Sequence, residues 1–172
     1  KNIEEFIREV KETAISIVNC ERASIWLYGE DKTQLHCIDF YEQNTKLHSV
    51  QIIITAADCP AYFQALKSAN YIATVAAEND PRTQELASLY FADRGTTSLL
   101  NVPILLAGQR LGIVSAERLG SGSEWTEEEH ELTKILAEFV SSSLSASENF
   151  KSEAMRREQQ QKNKSHKIHA VI

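Results

Sequence analysis

Cys20, Cys37 and Cys59 are the three thiols of this chain, and a thiol can act as nucleophile, redox centre or metal ligand. Their wide spacing matches neither a metal-ligand set nor an even-numbered disulfide framework. Cys59 precedes Pro60 at a helix start, where the helix N-terminus would lower its pKa. The plainer role, a small buried hydrophobe, is the better expectation for all three. His36, His48, His130, His166 and His169 are scattered. His166 and His169 would share a helical face, but a solvated tail suits their surroundings better than a metal site. The run Gly120-Ser121-Gly122-Ser123 lacks the strand, Lys and helix context of a phosphate loop. No catalytic constellation emerges from these residues.

The elements that must position any site are organised around residues 96–118. Leu99, Leu100, Val102, Ile104 and Leu105, then Leu111, Ile113 and Val114, read as two adjacent strands, joined through Ala107-Gly108-Gln109-Arg110. Pro103 cannot donate to a ladder and belongs at an edge or a bulge. Near-continuous apolarity on both strands predicts a hairpin covered on both faces.

From the start of the chain, Ile3, Ile7, Val10, Ala14 and Ile17 follow heptad spacing, with Phe6 and Val18 widening the stripe. Residues 22–28, 35–41 and 47–54 read as strands, the first two joined by a turn at 29–32. A helix starts at Cys59-Pro60, a short strand covers 71–75, and Ala76–Arg82 is a polar loop. A helix over about 83–94 places Leu86, Leu89 and Tyr90 on one side and stops at Gly95. Thr126 and Glu129 form a capping box for a long last helix with Leu132, Ile135, Leu136, Phe139, Val140 and Leu144 as its apolar face. Beyond Met155 the charged, Gln-rich sequence predicts a frayed helix or disorder. The order predicts an α+β fold: a central, mostly antiparallel sheet of about six strands, terminal helices on one face and a loop–helix layer on the other.

A length of 172 residues suits one domain, read here as residues 1–148, followed by a helical linker at 149–172 toward an output domain. The first residues look like a cut inside a longer chain. A net charge of −6 argues against nucleic acid as a main partner, and no run approaches a membrane span. The cytoplasm is the expected compartment.

The chain resembles a GAF domain, the small-ligand and chromophore-binding module of phytochromes, cyclic-nucleotide phosphodiesterases and bacterial signalling proteins. The likeness rests on residues 22–27 (RASIWL), Asn79-Asp80-Pro81-Arg82, Gly95 with residues 98–104 (SLLNVPI), residues 108–114 (GQRLGIV), and Trp125-Thr126-Glu127-Glu128-Glu129. It spans about Ile3 to Leu144. A fold does not fix a ligand. Bilin-binding members attach their chromophore through a Cys ahead of the Val-Pro-Ile strand, near Leu86-Ala87 here, and no Cys follows Cys59; the resemblance therefore implies no covalent bilin, and leaves the cofactor unknown. Cyclic-nucleotide members share an Asn-Lys-Phe-Asp-Glu set, of which only the isolated Asn79, Phe91 and Asp93 are present. Members similar to free methionine sulfoxide reductases place a nucleophilic Cys where this chain has Ala92-Asp93-Arg94. Haem through a single His would leave His36 as the candidate.

The resemblance places a small ligand between the sheet and the layer from Val75 to Gly95. Tyr28, Cys37, Thr74, Leu86, Tyr90 and Leu99 are then candidate walls, with Asn79, Arg82, Arg94 and Asn101 as polar anchors. Each also has a structural role available: Asp80 and Arg82 bracing the loop, Arg94 capping a helix end, Tyr90 filling core. Two readings follow. One is a non-catalytic sensor that relays ligand state through its terminal helices. The other is a ligand-free dimerisation and relay module, paired through those same helices.

Overall fold

A computed structural model describes residues 2–43, 52–91, 95–120 and 122–171; the side chains of Ile3, Ile7, Val10, Ala14 and Ile17, the heptad stripe, lie outside that description, as do most residues of the expected strand at 47–54. Strands β1 (Arg22–Tyr28), β2 (Gln34–Glu42), β3 (Ile53–Thr55), β4 (Ile72–Thr74), β5 (Thr96–Leu106) and β6 (Gln109–Leu119) form one sheet in the order β3-β2-β1-β6-β5-β4. Every pairing is antiparallel.

Alternation along these strands decides what covers each face. Ile25, Leu100 and Val114 pack with Val18, Leu136 and Val140 of α1 (Ile3–Val18) and α4 (Glu127–Val171). Their neighbours Trp26, Leu99 and Ile113 pack with Tyr62, Phe63 and Leu66 of α2 (Pro60–Ser68) and with Leu86 of the short α3 (Gln84–Leu86). Two separate cores therefore share one sheet, as the double-sided apolar pattern of the hairpin requires.

The hairpin turn is two residues, Ala107 and Gly108, with φ of 50° and 77°, between the paired Leu106 and Gln109. Positive φ at both central positions is the primed turn whose twist matches antiparallel strands. Pro103 lies beyond the last residue of β5 that β4 pairs, Asn101 opposite Ile72, and next to an irregularity at Ile104/Leu105. Its missing N–H thus falls on a stretch of bare edge.

Three expectations need correction. The helix expected over about 83–94 is a single α-turn that continues as a π-helix, Ala87–Phe91. Leu86 and Phe91, five apart, are both buried, while Leu89 is 57% exposed; a π-turn lines up residues five apart, which the 3.6 period does not. On α4, Ile135 and Phe139 are 45% and 54% exposed, and the buried face is Leu136, Ala137 and Val140. The sheet's width sets how much of that stripe it covers. Past Met155 the chain is neither frayed nor irregular: α4 stays helical to Val171, with residues 154–167 exposed.

The capping box forms as expected. The Thr126 amide donates to Glu129 Oε1 at 2.8 Å and the Glu129 amide to Thr126 Oγ1 at 3.1 Å. Glu129 also meets the Arg118 guanidinium, which donates to the Asn19, Val18 and Ser123 carbonyls and lies 3.9 Å from the centre of the Trp125 ring. One buried side chain of β6 thereby ties the end of α1 to the start of α4.

Candidate functional site

The face of the sheet turned to α2 and α3 carries polar side chains inside an apolar setting. Ser24 and Trp26 on β1, Asn101 on β5, and Ile113, Ser115 and Glu117 on β6 alternate onto it. Ser24, Asn101, Ser115 and Glu117 are all at most 4% exposed, so each needs hydrogen-bond partners within the fold. Ser24 Oγ accepts from Trp26 Nε1 at 2.8 Å, and Thr96 Oγ1 donates to Glu117 Oε1 at 2.9 Å. Asn101 Nδ2 donates to the Tyr62 hydroxyl at 2.5 Å, and Asn101 Oδ1 has no partner among the described residues. Burial, with the charges of Tyr28, Cys59 and Glu117 adding to it, pushes the Tyr62 phenol well above its ordinary pKa. Tyr62 is therefore a neutral hydroxyl throughout the physiological range.

Two small cavities lie between this face and α2–α3. One touches Leu86, Tyr90 and Phe91 on the layer and Ser24, Ser115 and Glu117 on the sheet; the other lies against Tyr28, Leu66, Asn101 and Arg110. Each holds about 10 Å³, the room of about one water molecule. Trp26, Phe40 and Tyr62 occupy the remaining space.

The residues expected to form a site divide accordingly. Leu86 and Tyr90 line the first cavity and Tyr28 and Asn101 the second. The Tyr90 hydroxyl donates to the Ile53 carbonyl at 3.0 Å, and burial raises its pKa. Cys37 and Leu99 are buried in the same core and line neither space. Thr74 and Arg82 brace the loop with their side chains and Asn79 with its backbone: Thr74 Oγ1 accepts from the Ala76 amide at 3.1 Å, and the Asn79 backbone N–H donates to the Ala76 carbonyl at 3.0 Å. Arg82 places Nε and Nη2 on the two carboxylate oxygens of Asp80 at 3.0 and 2.7 Å. That pair holds the Asp80 carboxyl below the usual carboxylate range. Arg94 lies outside the described residues.

Sequence reasoning passed over Ser24, Ser115, Glu117 and Tyr62. The available signal for the strand residues was polar groups in the same every-second-position phase as large apolar ones, Ser24-x-Trp26 and Ile113-x-Ser115-x-Glu117.

The surroundings of the thiols disfavour the thiolate at Cys20 and Cys59. All three are buried. Cys59 stands at the start of α2, yet its pKa rises to about 11, from burial first and then the Glu85 and Asp58 carboxylates; Cys20 rises to about 12, again from burial first. The expected lowering by the helix N-terminus fails chiefly because the thiol is buried, and next because Glu85 stands at that helix end, accepting from the Ala61 amide at 2.9 Å. His36 lies between Leu35 and Cys37, both in the loop-layer core, so alternation puts it on the other face of the sheet, with Nε2 3.1 Å from Gln34 Oε1.

Comparison with known proteins agrees with this geometry. The family model described as the GAF domain matches residues 2–144. A search of curated proteins finds no match. Among solved structures, the GAF domain of a phosphoenolpyruvate-protein phosphotransferase from Coxiella burnetii superposes with a TM-score of 0.69 at 15% identity, covering 88% of each chain. The blue-light-absorbing form of the Thermosynechococcus elongatus PixJ GAF domain gives 0.72 at 13% identity, covering 90% of this chain and 91% of its own. A methyl-accepting chemotaxis protein segment gives 0.70 at 16% identity, covering 84% and 90%. At such identities the likeness is one of fold. The chain belongs to the GAF domain family.

Proposed function

We propose that this GAF domain is a non-catalytic sensory module of a cytoplasmic bacterial signalling protein, such as a histidine kinase or a cyclic-dinucleotide cyclase. It holds a small molecule between the sheet and α2–α3 and relays that state through α1 and α4 to an output domain. GAF domains occur in sensor and signalling proteins, which supports the general role. The observation that carries the ligand reading is the line of buried polar groups under the layer, ending in Asn101 Oδ1 without a partner among the described residues. Strand β6 supplies the relay: Glu117 faces the layer, and its neighbour Arg118 holds the ends of both terminal helices. A ligand larger than a water molecule enters by displacing α2 or the π-helical turn.

The present size of the cavities favours a second reading, in which side chains fill the layer and the domain relays without a ligand. Either way, Ile135 and Phe139, exposed one turn apart on α4, support a homodimer through the terminal helices. Native mass spectrometry before and after denaturation tests both. A bound mass lost on unfolding supports the sensor. A clean apo dimer with no thermal shift across a metabolite panel removes the sensor and leaves the relay. A monomer removes the dimer from both.

A further inference from the structure

Past Asn101, opposite the first residue of β4, β5 runs on without a strand partner on that side among the described residues, and an open groove of about 690 Å³ lies between this edge and the first turns of α4. It is lined by Tyr71 and Arg110 and by Glu127, His130, Glu131 and Lys134, whose spacing on α4 makes one helical stripe. We propose that this groove binds a small zwitterion of the amino-acid type, with its carboxylate on Arg110 and its ammonium at Glu127 and Glu131.

The argument starts at Arg110. Its Nη1 donates to the Leu66 and Ala69 carbonyls at 3.0 and 2.9 Å, fixing the guanidinium at the end of α2. Both Nη1 hydrogens are then used, and the edge formed by Nε and Nη2 remains. That edge is the fork that takes a carboxylate side-on. The same chain shows the fork occupied elsewhere: Arg82 grips both oxygens of Asp80 with Nε and Nη2. Among the described residues, no carboxylate occupies it on Arg110. Arg110 lines the open groove, and a guanidinium held by one nitrogen with its fork uncommitted is suited to take a carboxylate there.

The other walls narrow the class. Glu127 and Glu131 repel a polyanion such as a nucleotide and attract an ammonium group. The His130 ring lies against Tyr71, centroids 4.3 Å apart, and its Nε2 is buried without a partner among the described residues. Tyr71, 47% exposed, and Leu105, 48% exposed, offer apolar surface for a side chain. Pro103 removes one donor from the bare edge, which disfavours an added peptide strand and favours a small molecule.

Three probes that differ by one group test this: L-phenylalanine, 3-phenylpropionate without the ammonium, and phenethylamine without the carboxylate. Each is titrated into the 172-residue chain while the arginine Nε–H NMR signals are followed, Arg110 being assigned by its loss in Arg110→Lys. L-Phenylalanine moves that signal saturably, and each truncated probe binds at least about tenfold more weakly. Because Arg110 also holds α2, the exposed double variant Glu127→Gln/Glu131→Gln gives a second arm. It weakens L-phenylalanine about tenfold and leaves 3-phenylpropionate unchanged. No saturable shift up to about 50 mM, equal binding of the three probes, or an unaltered L-phenylalanine affinity in the double variant overturns the proposal.

Discussion

Ile113 and Val114 are neighbours on one strand and belong to different cores. On the helix face, the buried Arg118 is spread over three carbonyls, a carboxylate and an indole ring. On the loop-layer face, Asn101 is buried with one amide atom unmet among the described residues, the layer includes a π-turn, and two small cavities lie beneath it. π-Turns are rare and concentrate at functional sites. The difference teaches where the molecule is able to change: on the helix face Arg118 ties both terminal helices to the sheet, and the loop-layer face keeps a group that a ligand or a movement can satisfy.

The largest effect should come from the strand that both faces share. A Cβ on Gly112 would lie 1.9 Å from the Trp26 carbonyl oxygen and 2.9 Å from Leu27 Cα, both backbone. Gly112→Ala must therefore part β1 from β6, and we expect a loss of about 3 kcal/mol or more in urea unfolding. A loss below about 1 kcal/mol would mean that the sheet yields easily and that its two faces are not rigidly joined.

Core truncation compares the faces directly. Ile104 is fully buried on the helix face and Leu86 is 1% exposed under the layer. Ile104→Ala should cost about 3–5 kcal/mol, and Leu86→Ala nearer about 2–3, because the three-residue α3 and its π-turn collapse onto the gap more readily. Equal costs in the same unfolding experiment would erase the contrast.

Smaller effects separate a cap from a charge. Thr126→Ala removes one arm of the α4 capping box and should lower stability by about 1 kcal/mol at neutral and acidic pH alike. Asp80→Asn should cost about 1 kcal/mol at neutral pH. The Asp80 carboxyl is depressed in the folded state, chiefly by the Arg82 hydrogen bonds, so its contribution is complete above the unfolded value near about 4. It is lost as pH falls through the lower folded value. The two variants should therefore differ from wild type by the same amount at about pH 7, with only the Asp80→Asn difference closing in acid.

The smallest perturbation is chemical. With Cys59 at about 11 and Cys20 at about 12, alkylation of these thiols by iodoacetamide near pH 8 should be slower by about a hundredfold or more in the folded chain than in urea. Fast alkylation of Cys59 in the folded state would show that α2 opens readily, placing the mobile part of the loop layer there.

Much of the fold was legible because its causes are local. Strand alternation, Ala107-Gly108 between apolar runs, and Thr126 three residues ahead of Glu129 each act within a few residues. The candidate site is less legible. Leu86, Tyr90, Tyr28 and Asn101 line the cavities, while the Thr74 and Arg82 side chains bond within or beside their own loop, as polar side chains near turns often do.

What the sequence by itself determined was which faces are apolar, where helices begin and where the chain turns, because periodicity and capping are encoded between neighbours. Only the tertiary structure decided which polar groups found partners. Tyr62 meets Asn101 across 39 residues, Arg110 meets Leu66 across 44, and Arg118 meets Val18 across 100. Satisfying a buried donor or acceptor depends on what the fold brings within about 3 Å, and no local pattern carries that distance.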